Sequence, residues 1–479
     1  MKKRNLTVMC AATAMGLLGG MLPGVEVKAE DKVKLVFAQD LDTDEKANKV
    51  MNEILTEYTE KTGTEIQFES LPSADYRTWL MTQFSAGQGP DVYTGIIYDM
   101  TQDYKAGYLT NFKDLYEEES IYDKGQPWKE TLPEYIAEQM YITEDDVPGY
   151  PTATSVVRVF YNKDMLEAAG AEVPETWEEF MDTCSKLKEA GNIPFAFPNA
   201  TIADLSWLWF NNSICSQIDH EMVEVLDVSG NGYVELAEMC RGYDEGKIDF
   251  KDEKLIESFE LMKEFSQYWT SDYNGLDQKN AIEMFARGKV AMVQAMSTSL
   301  EKIQSIVGDS FEYGVMPVPV ITEETNENAL GKSVILGGQP DIIFGMNKAL
   351  EEDEEKYAAA LDFVQYMSSP EIQTRLAEEI NRIPLATTVE LPERLAGFTI
   401  TEEPLRMPWY TGVNEQWRNY FHRTGQEFLS DAITAEEMAE TLNKSFGEVI
   451  ASVEGENGWS ADNNYGMEQG NESLRKSQM

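Results

Sequence analysis

The chain has 479 residues, 42% hydrophobic and 26% charged, a balance that excludes a disordered or low-complexity chain and allows two or three domains. The formal net charge is −46, from 39 Lys and Arg against 85 Asp and Glu. Such a field argues against nucleic acid and anionic lipid as direct partners, and it draws in divalent cations, although solubility alone accounts for acidity of this kind.

Residues 1–29 read as an export signal. Lys2, Lys3 and Arg4 precede an apolar, small-residue run over 6–22, and Val27-Lys28-Ala29 offers a peptidase site before Glu30. No later segment reaches the roughly 18 apolar residues of a membrane span, so an exported, soluble mature chain is expected. Cys10 follows a poor lipobox, and no lipid anchor is expected there. Cys184, Cys215 and Cys240 remain, an odd number without metal-like spacing.

In chain order, KVKLVFAQ (32–39) alternates as a strand, and 44–61 carries Ala47, Val50, Met51, Ile54, Leu55 and Tyr58 at helical spacing. A strand over 64–69, a helix over 76–85 ending at the Gly87-Gln88-Gly89-Pro90 turn, and a strand over 91–97 follow. Alternating strands and helices imply a parallel sheet covered on both faces. Further strands are expected over 156–161, 290–294 and 311–315. Helices are expected over 163–169, 177–190, 252–269, 280–285, 300–306, 349–367, 370–380, 415–429 and 431–453. The stretch 455–479, rich in Gly, Asn, Ser and Glu, reads as a flexible tail.

Several segments resemble, in order, the extracellular solute-binding proteins of ABC importers, in the larger carbohydrate-binding branch that includes maltose-binding protein. They are SAGQGPDV (85–92), YPTATSVVRVFYNKDMLEAAGAEVP (150–174), TWEEF (176–180), FARGKVAM (285–292), 314–319, the Gly337-Gly338 pair, FVQYMSSPEIQ (363–373) and Ile383-Pro384. The resemblance implies an α/β fold of two lobes joined by hinge strands, with ligand in the interlobe cleft and closure by hinge motion. It places the chain crossings near Thr152, Val315 and Pro384. One lobe would hold 30–152 and 315–384, the other 153–314 and 385–454. It implies an oligosaccharide ligand, ABC permease subunits as membrane partners, a monomer, and no cofactor for activity.

Sugar recognition needs flat apolar faces and planar polar groups. By position within the resemblance, the candidates are Gln39 and Asp40 after the first strand, and Tyr98 and Asp99 after the third. Ser155 stands where the maltose-binding type has a glutamate, so one acid is missing. Asp204 and Trp207 lie in NATIADLSWLW (199–209), where Trp207 and Trp209 share a face in a strand and diverge in a helix. Thr298 lies where a stacking Trp is often found. Gly338 and Gln339 follow a hinge, and Trp409 and Trp417 are candidate platforms. Only His220 and His422 are present, which disfavours a His-based triad, and no phosphate loop or nucleophile elbow appears, so no enzyme is expected. A glycan-binding adhesin and, behind it, a glycoside hydrolase are the alternatives.

DVSGNGYVELAE (227–238) has the spacing of an EF-hand loop. Asp227, Ser229, Asn231, Tyr233 through its carbonyl, Glu235 and Glu238 fall on the ligand positions, with Gly232 at the bend. A structural Ca²⁺ is the expectation weighed there against an unmetallated turn between helices.

Overall fold

The parallel order expected at the amino end is present. Strand β1 (Lys34–Asp40) lies between β2 (Glu65–Leu71) and β3 (Val92–Gly95), parallel to both. Helix α1 (Glu45–Thr62) presents Ala47, Val50, Met51, Ile54, Leu55 and Tyr58 to the core, one face of a 3.6-residue period. Phe37 stacks between Phe68 and Phe344 at 5.2 and 5.5 Å, and Phe363 meets it edge-on. In the computed structural model the described residues are 32–41, 45–204, 206–228, 234–400, 403–404 and 413–467. The expected signal segment with Cys10, and the candidates Ser229, Asn231, Tyr233 and Trp409, lie outside them.

The strand that organises the rest is β4 (Tyr150–Asn162), thirteen residues buried throughout. Behind it come β5 (Phe195–Ala196), β6 (Met292–Met296), β7 (Tyr313–Met316), β8 (Gly337–Met346) and β9 (Ile383–Pro384). The sheet order is β2-β1-β3-β8-β4-β6-β5, with β7 and β9 also paired to β4. The first half of β4 pairs with β8 (Ala153↔Ile342), the second with β6 and β7 (Val157↔Met296, Val159↔Met316).

The buried residues follow this division. One core draws on residues 35–150 and 343–385. Beyond residue 155 the sheet is covered on both faces. Val157, Val159 and Tyr161 enter one cluster, Val156 and Phe160 the other. That alternation between two apolar faces is why the apolar residues Val156, Val157, Val159, Phe160 and Tyr161 follow one another almost without a break, with Arg158 the one charged side chain buried among them. Val318, Ile321, Val334 and Leu336, in the stretch expected on the first lobe, pack into the second.

Two segments differ from the sequence expectation, and a third, left open between strand and helix, is decided. The third strand stops at Gly95 and Ile97 opens helix α2 (Ile97–Lys105), whose Met100 packs where a Gly95 side chain would stand. Residues Ser206–Ile218 form a helix buried nearly all round, so Trp207 and Trp209 diverge. The tail is held further than composition suggested. Helix Ala435–Asn457 ends on the left-handed Gly458, and the turn Ala461–Gly466 buries Tyr465, whose hydroxyl donates to Asp244 at 2.8 Å. Among the described residues no helix is long and apolar enough to cross a membrane.

Candidate ligand-binding seam

The register brings the ends of several strands to one line. Ala38 pairs with Tyr93, Gly95 with Ile343, Ile342 with Ala153, Gly337 with Val156, and Val157 with Met296. Asp40, Tyr98, Asp99, Ser155, Thr298, Gln339 and Asp341 therefore lie along the edge where β1, β3 and β6 reach their carboxyl ends. This seam between the two halves of the sheet is where α/β folds favour a ligand. Across it Lys46 of α1 pairs with Glu301 of the helix Leu300–Val307 at 3.0 Å.

On the first lobe Tyr98 presents its ring to solvent, 68% exposed. Asp99 sits in the first turn of α2, half-buried, with the Arg77 Nε at 3.5 Å. Burial raises the Asp99 carboxyl above the ordinary range, against the pull of Arg77. Arg77 donates two 2.7 Å bonds to the buried Asp103, which also accepts from the Tyr93 hydroxyl at 2.9 Å. That carboxylate holds the Arg77 guanidinium above its ordinary value. Asp40 is exposed at the end of β1, whereas Gln39 is fully buried and neither atom of its amide has a hydrogen-bond partner among the described residues.

At the hinge Ser155 donates to Asp341 Oδ2 at 2.5 Å, and the Ser297 hydroxyl accepts from the Val156 amide at 3.2 Å. A carboxylate at this spot comes from β8, the neighbouring strand, and not from position 155 itself. Thr298 follows Ser297 and is exposed. Gly337 and Gly338 have φ of +81° and +79°, and a Cβ on Gly337 would stand 2.3 Å from the Ser155 carbonyl, so only glycine allows β8 this approach.

The other candidates fall elsewhere. Asp204 is buried and its oxygens accept from the amides of Gln278 (2.8 Å) and Thr201 (2.6 Å), so it ties its own loop. Trp417 is fully buried, with Phe250 and Phe446 at 5.3 and 4.8 Å. Trp207 packs on Gly425, where any Cβ would meet the ring at 2.5 Å. Neither indole has an open face. Nearby, His422 faces the Asn199 side chain at 3.0 Å, and burial lowers its pKa. Sequence reasoning noted Ser297 only beside Thr298, as what stands in place of the stacking Trp, and missed Arg77 and Asp341. Only the Gly-Gly-Gln-Pro-Asp run, a proline and an acid inside an expected hinge, marked the last of these.

Of the EF-hand-like candidates, Asp227, Glu235 and Glu238 are described. Glu238 accepts from the amides of Val228 and Glu235, both at 2.8 Å, bridging the two ends of the loop. Glu235 is the cap of helix Leu236–Asp244 and Glu238 its third residue, in a capping box. No group of three His, Cys, Asp or Glu able to hold a metal occurs among the described residues. A separate surface hollow of about 390 Å³, bordered by Glu260, Lys263, Phe428, Asp431 and Thr434, lies on helices of the second lobe and is reached by no strand end.

Comparison with known proteins agrees with the topology. The chain is 22% identical over 436 residues to the Multiple sugar-binding protein of Streptococcus mutans, covering 89% of this chain and 92% of that protein. It is 22% identical over 253 residues to the sn-glycerol-3-phosphate-binding periplasmic protein UgpB of Salmonella typhimurium, 52% of this chain and 51% of that protein. Among solved structures it superposes on a chitin oligosaccharide binding protein (18% identity, TM-score 0.63, 88% of this chain and 100% of that one). RafE in complex with raffinose gives 20% identity, TM-score 0.61 and the same coverage. These likenesses show the fold. The family model described as bacterial extracellular solute-binding protein matches residues 53–404. The chain belongs to the bacterial extracellular solute-binding proteins.

Proposed function

We propose that the chain binds a carbohydrate, an oligosaccharide, in the seam between its lobes and delivers it to the permease subunits of an ABC importer. The observation that carries this reading is the gathering of an exposed Tyr98 ring with the polar groups of Asp40, Asp99, Ser155, Thr298, Gln339 and Asp341 on one edge. A ring face for stacking beside carboxylates and hydroxyls is the chemistry a sugar needs. The names of the sugar-binding relatives support it. The partial match to a glycerol-phosphate binder is weighed against it. Three carboxylates on the seam disfavour an anionic ligand. The chain acts as an exported monomer, and no catalysis is assigned to it.

A thermal-shift panel of mono- and oligosaccharides, with glycerol 3-phosphate included, tests the ligand class. Saturation at a hundredfold over Kd stabilises by about 2.7 kcal/mol. A sugar that raises the melting temperature and is recovered unchanged supports a binder. Released products mark a hydrolase, and a shift by glycerol phosphate alone refutes the carbohydrate reading. Deleting the gene separates importer from adhesin, since an importer's loss abolishes uptake of the labelled sugar.

The proposal extends to a structural Ca²⁺ at 227–238, with Asp227, Glu235 and Glu238 among its ligands, clipping two helices remote from the seam. The capping of helix Leu236–Asp244 by Glu235 and Glu238 supports a helix–loop–helix frame. A melting temperature indifferent to chelator, together with wild-type behaviour of Asp227→Ala, refutes the ion.

A further inference from the structure

We infer that Asp341, held by Ser155, is the group that selects the ligand by a hydroxyl at the hinge; this rests on the carbohydrate reading above. The strand that carries it is irregular. β8 has register shifts against β4 on both sides of Pro340, and proline inside a sheet is confined to edges and bulges. Along β8, Gly337 and Gln339 are exposed, Gly338 and Pro340 buried, and Asp341 half-buried. The bulged backbone thus turns the Gln339 and Asp341 side chains toward the seam. The Gln339 carbonyl is fixed by the Thr154 hydroxyl at 2.8 Å. The carboxylate is oriented by one bond, from the Ser155 hydroxyl to Oδ2. Asp341 has no cation and no other partner among the described residues.

A half-buried carboxylate with one oxygen unused loses hydration whenever the lobes close, unless the ligand supplies a donor. A sugar hydroxyl does so, through a charge-assisted bond that neither Ser155 nor the backbone can replace. The Ser155 hydroxyl, donating to Oδ2, fixes which oxygen faces the ligand. The Ser297 hydroxyl, which accepts from the Val156 amide beside Ser155, and the exposed Thr298 after it bring residues of the second lobe next to this contact. A site built to bind one hydroxyl rejects the analogue lacking it far more strongly than an apolar pocket rejects a missing methylene.

The test uses the mature full-length chain and the best sugar of the panel, titrated calorimetrically with wild type, Asp341→Asn and Ser155→Ala. Asp341→Asn keeps shape and is expected to weaken binding about ten- to a hundredfold, with the unliganded melting temperature unchanged. Ser155→Ala is expected to weaken it about threefold through orientation alone. Deoxy analogues of the same sugar give the readout that a structural role would not move. One of them should bind wild type and Asp341→Asn equally. If Asp341→Asn binds the parent sugar within twofold of wild type, or every deoxy analogue loses the same factor in both proteins, the inference is overturned while the carbohydrate reading stands. If no sugar binds wild type, both fall.

Discussion

The two lobes use aromatic and charged residues in opposite ways. In the first, the aromatic core is a stack around Phe37, and the exposed Tyr98 lies outside it at the seam. Three of its charged groups, Arg77, Asp99 and Asp103, are linked in one chain that ends at that seam. In the second lobe Trp177, Trp207, Trp269 and Trp417 are buried, Trp209 and Trp459 are partly buried against the same core, and Phe197 lies flat on Trp269 at 3.6 Å. Three polar groups there, His422, Asn199 and Asp204, are turned inward. Abundant tryptophan is therefore no guide to a stacking platform in this chain. Among the described residues the aromatic that stands open is Tyr98, in the first turn of the helix after the third strand.

The largest expected effect sharpens that contrast. Trp417→Ala should cost about 3–5 kcal/mol in denaturant unfolding, as for a filled core site, and leave the folded fraction's affinity unchanged. Tyr98→Ala should leave stability within about 0.5 kcal/mol and weaken sugar binding about tenfold. The reverse pattern would break the comparison. Next, Arg77→Ala leaves the buried Asp103 without its cation and should cost about 3 kcal/mol. Asp103→Asn in that background should recover part of the loss.

A smaller effect separates the lobes by pH. His422 is held neutral by burial, its folded pKa below that of the unfolded chain. The stability it contributes is full above the unfolded value of about 6.5 and is lost as pH falls toward the folded one, by at most about 1.4 kcal/mol per pH unit. Urea unfolding from pH 7 to 5 should show a shallower slope for His422→Asn than for wild type. Smallest is the exposed Lys46–Glu301 pair that joins the lobes. Its coupling energy, measured as sugar affinity in a double-mutant cycle, should be under about 1 kcal/mol and should vanish in high salt.

Much of the fold was legible because its signals are local. The helices Pro370–Ile380 and Glu415–Leu429 fall where spacing, proline and caps put them. Helix Ser206–Ile218 was ambiguous because a segment buried nearly all round has no polar face to set its period. Tyr98 and Asp99, just past the third strand, and Ser155, on the expected crossing segment, could be placed near the seam from sequence. It was not legible at Asp341, because its place beside Ser155 depends on a bulged antiparallel pairing 186 residues away in sequence. Trp417 reads from sequence as a platform on an amphipathic helix. Only packing against Phe250 and Phe446, from distant segments, shows which way its face turns.

Hydrogen exchange of the chain with and without the selected sugar tests the central claim most directly, because it locates the ligand as well as detecting it. The account predicts added protection at 38–41, 95–99, 153–157, 296–299 and 337–342, on both lobes at once. Protection confined to one lobe, or centred on the hollow beside Glu260 and Thr434, would contradict it.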